Sequence, residues 1–353
     1  MIQALREQQI QDGGQLQSLD DGQSLINTYN NDEAALQAVE QSVALCDRSH
    51  WGRIEISDRD RQSFLHNQST NEIKTLQPGQ GCETVIVTST ARTLDLVTVY
   101  CLEDSLLLLT SPNRRAQLLS WLDRYIFFQD KVKLTDLSAQ TGTFSLIGPE
   151  SEALLQHLGW TLPTQAHHHT VHLFGSQEVR VAKGSGLASA GYTLIFEADI
   201  AGSLWRSLRE AGAAPLGESG WEQLRIQQGR PKADAELTED YNPLEAGLWH
   251  TVSLNKGCYI GQETLARLNT YDGVKQRLWG LVLADPVEPG TSILVEDKKV
   301  GVITSVASRG DQAVSLGYVK TKAGEAGTLV QIGSATAKLI EVPFLTRSIS
   351  TSS

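Results

Sequence analysis

Along the chain, apolar positions first recur with helical spacing, then alternate as in strands, and finally break into short runs between turns. Ala35, Leu36, Val39 and Val43 are three to four residues apart and predict a helix from Asp32, capped by Asn31 or Asp32. Trp51 to Ile56 alternates as a half-buried strand, and Ser57-Asp58 offers a cap for a helix carrying Phe64 and Leu65. After the Pro78-Gly79 turn come β-rich runs at 84–88, 94–100 and 105–110, then an amphipathic helix with Leu118, Leu119, Leu122 and Tyr125 on one side. Strand 142–147 leads into a helix through Ala153, Leu154 and Leu158, and strands 178–182 and 192–196 precede a helix over 201–211. From Arg277 onward there are only short strands, at 278–283, 292–295, 300–306, 314–318, 329–332 and 337–342. Turn residues such as Pro289-Gly290 separate them, which predicts a small antiparallel barrel. Without a regular βαβ rhythm or a glycine-rich phosphate loop, the class is α+β.

Bulk composition narrows the function. A chain of 353 residues exceeds one ordinary core and implies two or three domains. Its 40% hydrophobic and 20% charged residues fit a globular protein, and its net charge of −11 argues against nucleic-acid binding. No stretch approaches the ~18 consecutive apolar residues of a membrane helix. The Gln-, Asp- and Gly-rich start (residues 1–23) lacks a secretory or transit pattern, so a cytoplasmic location with reduced thiols is the expectation. Cys46, Cys82, Cys101 and Cys258 form no Cys-x-x-Cys pair, so neither a disulfide framework nor a zinc site is predicted. Cys101, in an apolar run, reads as a core thiol. The cluster His167, His168, His169, with His172 nearby, has no carboxylate or thiol at ligand spacing and reads as a solvated loop, so no metal is predicted.

Three segments carry the sharper signal. They are Leu224-Arg225-Ile226-Gln227-Gln228-Gly229, then Asn242-Pro243-Leu244-Glu245-Ala246-Gly247-Leu248, then Lys256-Gly257-Cys258-Tyr259-Ile260-Gly261-Gln262-Glu263. In this order they resemble the landmarks of the glycine-cleavage T-protein (GcvT, aminomethyltransferase) superfamily. The last octet is similar to that of its YgfZ-type folate-binding branch. Asp47-Arg48-Ser49-His50, Asn67 to Ile73 and Thr93-Leu94-Asp95-Leu96 extend the resemblance toward the N-terminus. It implies a three-lobed α+β body around a central hole that binds tetrahydrofolate, followed by a small C-terminal antiparallel β-barrel. The expected limits are a poorly ordered segment at 1–30, the folate-binding region of two interleaved α+β lobes at 31–274, the barrel at 275–346 and a tail at 347–353.

The resemblance also implies residue roles. Cys258, with Lys256 two positions before it, is the candidate reactive thiol, since a nearby ammonium raises the thiolate fraction. Asp95 falls where T-proteins carry their catalytic carboxylate, which stabilises charge developing on a folate amine. Their second Asp is Leu96 here. Arg225 is placed to pair with the anionic folate tail. Asn71, Lys256, Tyr259, Gly261 and Gln262 are the further candidates around the folate, and Trp249 and Trp279 could line its pocket. Ser189 stands where T-proteins have a pterin-binding Glu, a change that weakens pterin anchoring by ~1–3 kcal/mol. The implied function is a tetrahydrofolate-binding accessory protein supporting iron–sulfur cluster assembly, maintenance or repair, with iron–sulfur clients or assembly proteins as partners. The alternatives are an aminomethyltransferase of the glycine cleavage system and a non-catalytic folate-binding module.

Overall fold

The structure, a computed structural model, describes residues 2–18 and 24–348. The expected tail at 347–353 therefore falls mostly outside the described residues, as do Met1 and residues 19–23. In chain order the first elements are α1 (Ile2–Gln11), β1 (Gln15–Ser18), β2 (Ser24–Thr28), α2 (Asp32–Gln41), β3 (Ala44–Asp47), β4 (Gly52–Ser57) and α3 (Arg61–Gln68). Next come β5 (Gly81–Val87), β6 (Thr93–Cys101), β7 (Ser105–Thr110), α4 (Arg115–Asp123), β8 (Lys133–Asp136), β9 (Thr141–Ile147) and α5 (Ser151–His157). Then follow β10 (His169–Phe174), β11 (Gln177–Lys183), β12 (Gly191–Glu197), α6 (Ala201–Glu210), β13 (Ala214–Leu216), α7 (Glu218–Gln228) and α8 (Gln262–Thr270). The last six strands are β14 (Gln276–Leu283), β15 (Ser292–Val295), β16 (Lys298–Arg309), β17 (Gln312–Lys320), β18 (Leu329–Ile332) and β19 (Ala335–Ile340).

Contacts divide the chain into two compact units, each assembled from three stretches of sequence. The first takes the chain up to Arg61, Leu76–Cys82 and Thr98–Trp221; the second takes Gln62–Thr75, Glu83–Val97 and everything from Glu222 onward. The barrel expected as a separate domain at 275–346 thus belongs to a larger unit. The reason is a shared core: Leu278, Val314, Leu316 and Tyr318 of the barrel pack with Val85, Leu96, Ile226 and Leu237. The barrel itself closes in the order β14-β17-β16-β15-β18-β19 and has a second core of its own around Ile293, Ile303, Ile332 and Leu339. Closure removes the open edges that six short strands would otherwise expose.

The first unit is built on a six-stranded sheet, β10-β11-β12-β9-β3-β13, antiparallel except for the β13–β3 pair. Its core gathers Leu45, Phe144, Leu146, Leu194 and Trp205, each worth about 1.5–3 kcal/mol when fully buried. The N-terminal residues depart from expectation. They form a helix and a β1–β2 pair instead of a poorly ordered segment. Among the described side chains of α1 the buried apolar one is Leu5, too little to register as helical periodicity. Polar bonds to α6 do the rest: Asp12 Oδ2 accepts from Trp205 Nε1 at 2.8 Å and Arg209 Nε at 3.1 Å, and Arg206 Nε donates to Gln8 Oε1 at 2.8 Å.

The histidine cluster departs too. His169 opens β10 and is buried, donating from Nε2 to the Cys101 carbonyl at 3.0 Å and accepting at Nδ1 from Arg180 at 2.9 Å. His172 stacks on Trp160 and bonds the Thr161 carbonyl. Among the described residues no group of three His, Cys, Asp or Glu side chains could hold a metal. Burial, then the Arg180 guanidinium, push the His169 pKa down to about 4, from an ordinary 6.5. The unfolded chain takes up this proton first, so the stabilisation is complete above pH 6.5 and is lost as pH falls toward 4. Denaturant midpoints measured from pH 7 to 4 are expected to fall, and His169→Gln is expected to flatten that slope.

Candidate functional site

Most of the residues singled out from sequence lie in the second unit. Lys256 is buried, and its ammonium donates to three backbone carbonyls: His66 at 2.6 Å, Ser69 at 2.7 Å and Asn71 at 2.6 Å. These carbonyls belong to the last turn of α3 and the chain leaving it, where helical carbonyls lack intrahelical donors and the helix dipole favours a cation. Lys256 therefore clamps the octet onto the end of α3 and also lies 4.6 Å from the Tyr259 ring centre. A second tie is the Ile260 amide, which donates to the Asn67 carbonyl at 3.0 Å. Gly261 continues the clamp. It precedes α8 with φ of +82°, and a Cβ there would sit 3.0 Å from both Ala91 Cα and the Thr88 carbonyl oxygen. Only glycine meets both demands.

Between these fixed points, Gly257 and Cys258 are exposed. The thiol is thus presented to solvent on a loop anchored at both ends. Beside it lies a pair that sequence reading missed. His66 is buried, with Nδ1 3.0 Å from Glu72 Oε1, and its Nε2 is 3.8 Å from where a Cβ on Gly257 would stand. Burial, reinforced by the Lys256 ammonium, pushes the His66 pKa below its ordinary value. Its signal in sequence is a histidine six residues ahead of a glutamate, which fits no standard spacing.

Asn71 joins the clamp through its backbone, while its side chain donates to the Glu83 carbonyl at 2.8 Å and accepts from the Glu72 amide. Tyr259 is buried with Ala91, Leu244, Trp249, Val252 and Leu265. Among the described residues its hydroxyl has no hydrogen-bond partner, and burial raises its pKa to about 12. Gln262 is the first residue of α8 and is half-buried. Asp95 lies mid-strand in β6 and is fully buried. It points to the opposite face from Leu94 and Leu96, because side chains alternate along a strand. Trp249 and Trp279 are both core residues.

Arg225 stands apart from this group. Its Nε and Nη2 donate to the two Glu222 oxygens, at 2.7 and 2.5 Å. Nη1 donates to Glu236 at 3.0 Å and the Arg230 carbonyl at 3.4 Å, and Nη2 also donates to Ser305 Oγ at 2.7 Å. All five N–H donors are engaged. Burial opposes the charge, but Glu236 and Glu222 outweigh it and hold the pKa above the ordinary arginine value. Glu236 is fully buried and also accepts from the Thr304 and Ser305 hydroxyls, each at 2.6 Å, and from the Lys232 amide at 3.0 Å. The network joins α7, the following loop and barrel strand β16. Neither Arg225 nor Lys256 has an N–H left over for a folate carboxylate.

Ser189 belongs to the first unit, on the β11–β12 connection. Its carbonyl accepts from Ser185 Oγ at 2.8 Å. The connection packs on Arg48, which donates to the Ser185 carbonyl at 3.2 Å and lies between Trp51 and Trp221.

Comparison with known proteins matches the model of the GCVT N-terminal domain to residues 22–256. The chain belongs to this family. A chloroplastic protein of Arabidopsis thaliana, named by class only as a transferase, is 43% identical over 328 residues, 92% of this chain and 76% of that one. An aminomethyltransferase of Desulforamulus reducens is 29% identical over 338 residues, covering 91% of this chain and 92% of its own. The glycine cleavage system aminomethyltransferase T of Bartonella henselae superposes with a TM-score of 0.86 at 19% identity, covering 98% of both chains. The chain therefore has the GcvT-like fold with a closed six-stranded C-terminal barrel. Among the described residues no helix is long and apolar enough to cross a membrane.

Proposed function

We propose that this GCVT-family protein binds tetrahydrofolate and acts as a YgfZ-type accessory factor, using Cys258 in the assembly, maintenance or repair of iron–sulfur proteins. The observation that carries the reading is the exposed thiol of Cys258 on a loop held by the buried Lys256 clamp. A buried lysine and a left-handed glycine spent on presenting one exposed cysteine favour a thiol with work to do. Tetrahydrofolate, when bound, supplies nitrogen atoms that carry a one-carbon unit. The half-buried Gln262 amide is the group we assign to meet it, with the buried Tyr259 and Asp95 as further members of the site. Asn71, Lys256 and Gly261 support that site through the contacts that hold the octet, Arg225 braces α7 against the barrel instead, and Ser189 supplies no carboxylate. The client is an iron–sulfur protein or a sulfur carrier that reaches Cys258.

The buried Asp95 favours a second reading, the aminomethyltransferase reaction, because a carboxylate in a dry setting stabilises a developing ammonium strongly. Two assays separate the readings. Cys258→Ala is expected to bind reduced folate within about twofold of the parent. It is also expected to fail to restore iron–sulfur enzyme activities in a strain lacking the protein. Full rescue by Cys258→Ala, or no saturable folate binding by the parent, would overturn the proposal. Methylene-tetrahydrofolate production from an aminomethylated lipoyl carrier, abolished by Asp95→Asn, would establish the second reading instead.

A further inference from the structure

The His66–Glu72 pair beside the Cys258 loop has no part in the site as assigned so far. His66 is 6% exposed, with Nδ1 toward the half-buried Glu72 and Nε2 toward the exposed Gly257. A carboxylate accepts hydrogen bonds and donates none, so the 3.0 Å contact with Glu72 Oε1 fixes the ring proton on Nδ1. The Ile73 amide also faces Nδ1, but at 3.5 Å it is too far to displace that bond. The lone pair of the ring therefore sits on Nε2. Among the described residues Nε2 has no hydrogen-bond partner, and it is not sealed from solvent. It stands 3.8 Å from where a Cβ on Gly257 would lie, nearer than any other described atom outside that residue's chain neighbours. A nearly buried base thus opens onto the residue next to an exposed thiol.

Burial and the Lys256 ammonium, helped by Lys74 and opposed by Glu72, hold the His66 pKa below its ordinary 6.5. At neutral pH the ring is neutral and Nε2 can take a proton. The same Lys256 charge, two residues before Cys258, favours a thiolate. An exposed loop suits an electrophile that needs no enclosing pocket. A disulfide is one, because its leaving thiolate carries the developing charge itself. We infer that His66, oriented by Glu72, is the base for Cys258, and that this loop performs thiol–disulfide exchange with small disulfides. Nε2 takes the Sγ proton as Sγ attacks one sulfur of the disulfide, whose S–S bond breaks. The departing thiolate takes that proton from Nε2, which leaves a mixed disulfide on Cys258 and one free thiol. Cys258 is oxidised and the disulfide is reduced. The contact between Nε2 and Sγ tightens on attack, as such contacts do in sites without substrate. The inference rests on the reading of Cys258 as a working thiol and is independent of folate and of the client.

Dithiodipyridine, a neutral disulfide whose leaving group absorbs light, is the probe for the full chain. Cys258→Ser supplies the background from the half-buried Cys82. At pH ~6 Cys258 is expected to react at least about tenfold faster than the octet as a free peptide. His66→Gln is expected to remove this excess and to return the pH profile to that of the peptide, a shift that lost packing does not produce. Glu72, Lys256 and Lys74 are the charged groups facing the ring, and Glu72→Gln is expected to give a rate between parent and His66→Gln. Gly257→Ala puts a methyl against Nε2 without left-handed backbone to strain it. It is expected to slow the reaction at least about threefold and to leave thermal unfolding unchanged. A parent rate equal to the peptide's, or a His66→Gln rate and profile equal to the parent's, overturns the inference. Should His66→Gln fail to fold, the peptide comparison and Gly257→Ala decide, and full reactivity of Gly257→Ala overturns it. Full rescue of the deletion strain by Cys258→Ala would instead defeat the reading of Cys258 and leave these rates unchanged.

Discussion

Lys256→Met is expected to lower the unfolding free energy by about 3–5 kcal/mol, measured by denaturant titration. The methionine keeps the length and apolar stem but removes the ammonium that satisfies the His66, Ser69 and Asn71 carbonyls together. Hydrogen bonds to a charged group are worth about 1.5–3 kcal/mol each, and the relief of no longer desolvating an ammonium offsets part of the total. Lys256→Arg is not expected to rescue, because a planar fork cannot aim three N–H groups at converging carbonyls the way a tetrahedral ammonium does. With the clamp gone the octet loosens, so Cys258 alkylation should lose any site-specific rate and approach that of a free thiol. A ligand-binding Lys256 would behave in the opposite way. Its loss would leave stability intact and weaken folate alone.

Arg225→Leu carries the second large effect, also about 3–5 kcal/mol, because it strands the fully buried Glu236 carboxylate without its cation. Glu222 suffers less, being nearer solvent and still paired with Lys232 at 3.3 Å. The double variant Arg225→Met with Glu236→Met is expected to recover much of the loss, since removing both charges also removes the desolvation cost. A non-additive cycle of this size, read from denaturant midpoints, would fix Arg225 as a joint between α7 and barrel strand β16. If instead Arg225→Leu left stability unchanged and abolished folate binding, the residue would be a ligand contact after all.

The elements were largely legible in sequence. Helix α2, strand β4 and the six barrel strands each repeat an apolar pattern at the period of their own geometry, and such patterns need no tertiary knowledge. Helix α1 escaped because one leucine is no pattern; its anchor Asp12 bonds Trp205 and Arg209, nearly two hundred residues on. His169 escaped for a related reason. Three adjacent histidines look solvated until the fold sets one beside Arg180 and the Cys101 carbonyl.

Around the candidate site the division is sharper. The octet, the two landmarks before it and the prominence of Cys258 could be read from residue order alone, because glycine placement and a flanking lysine are local features. The family followed from them, as did the expectation of an α+β body with a C-terminal barrel. What Lys256 and Arg225 do was decided only by tertiary structure. A cation's role depends on which acceptors the chain brings to it, and the deciding ones came from α3 for Lys256 and, for Arg225, from the loop beyond α7 and strand β16 together. The same holds for Tyr259, whose buried hydroxyl follows from the apolar cluster around it, and for His66, which only the fold sets beside Gly257. Local spacing sets what a segment can form; desolvation and pairing, which depend on every neighbour at once, set what its charged side chains are for.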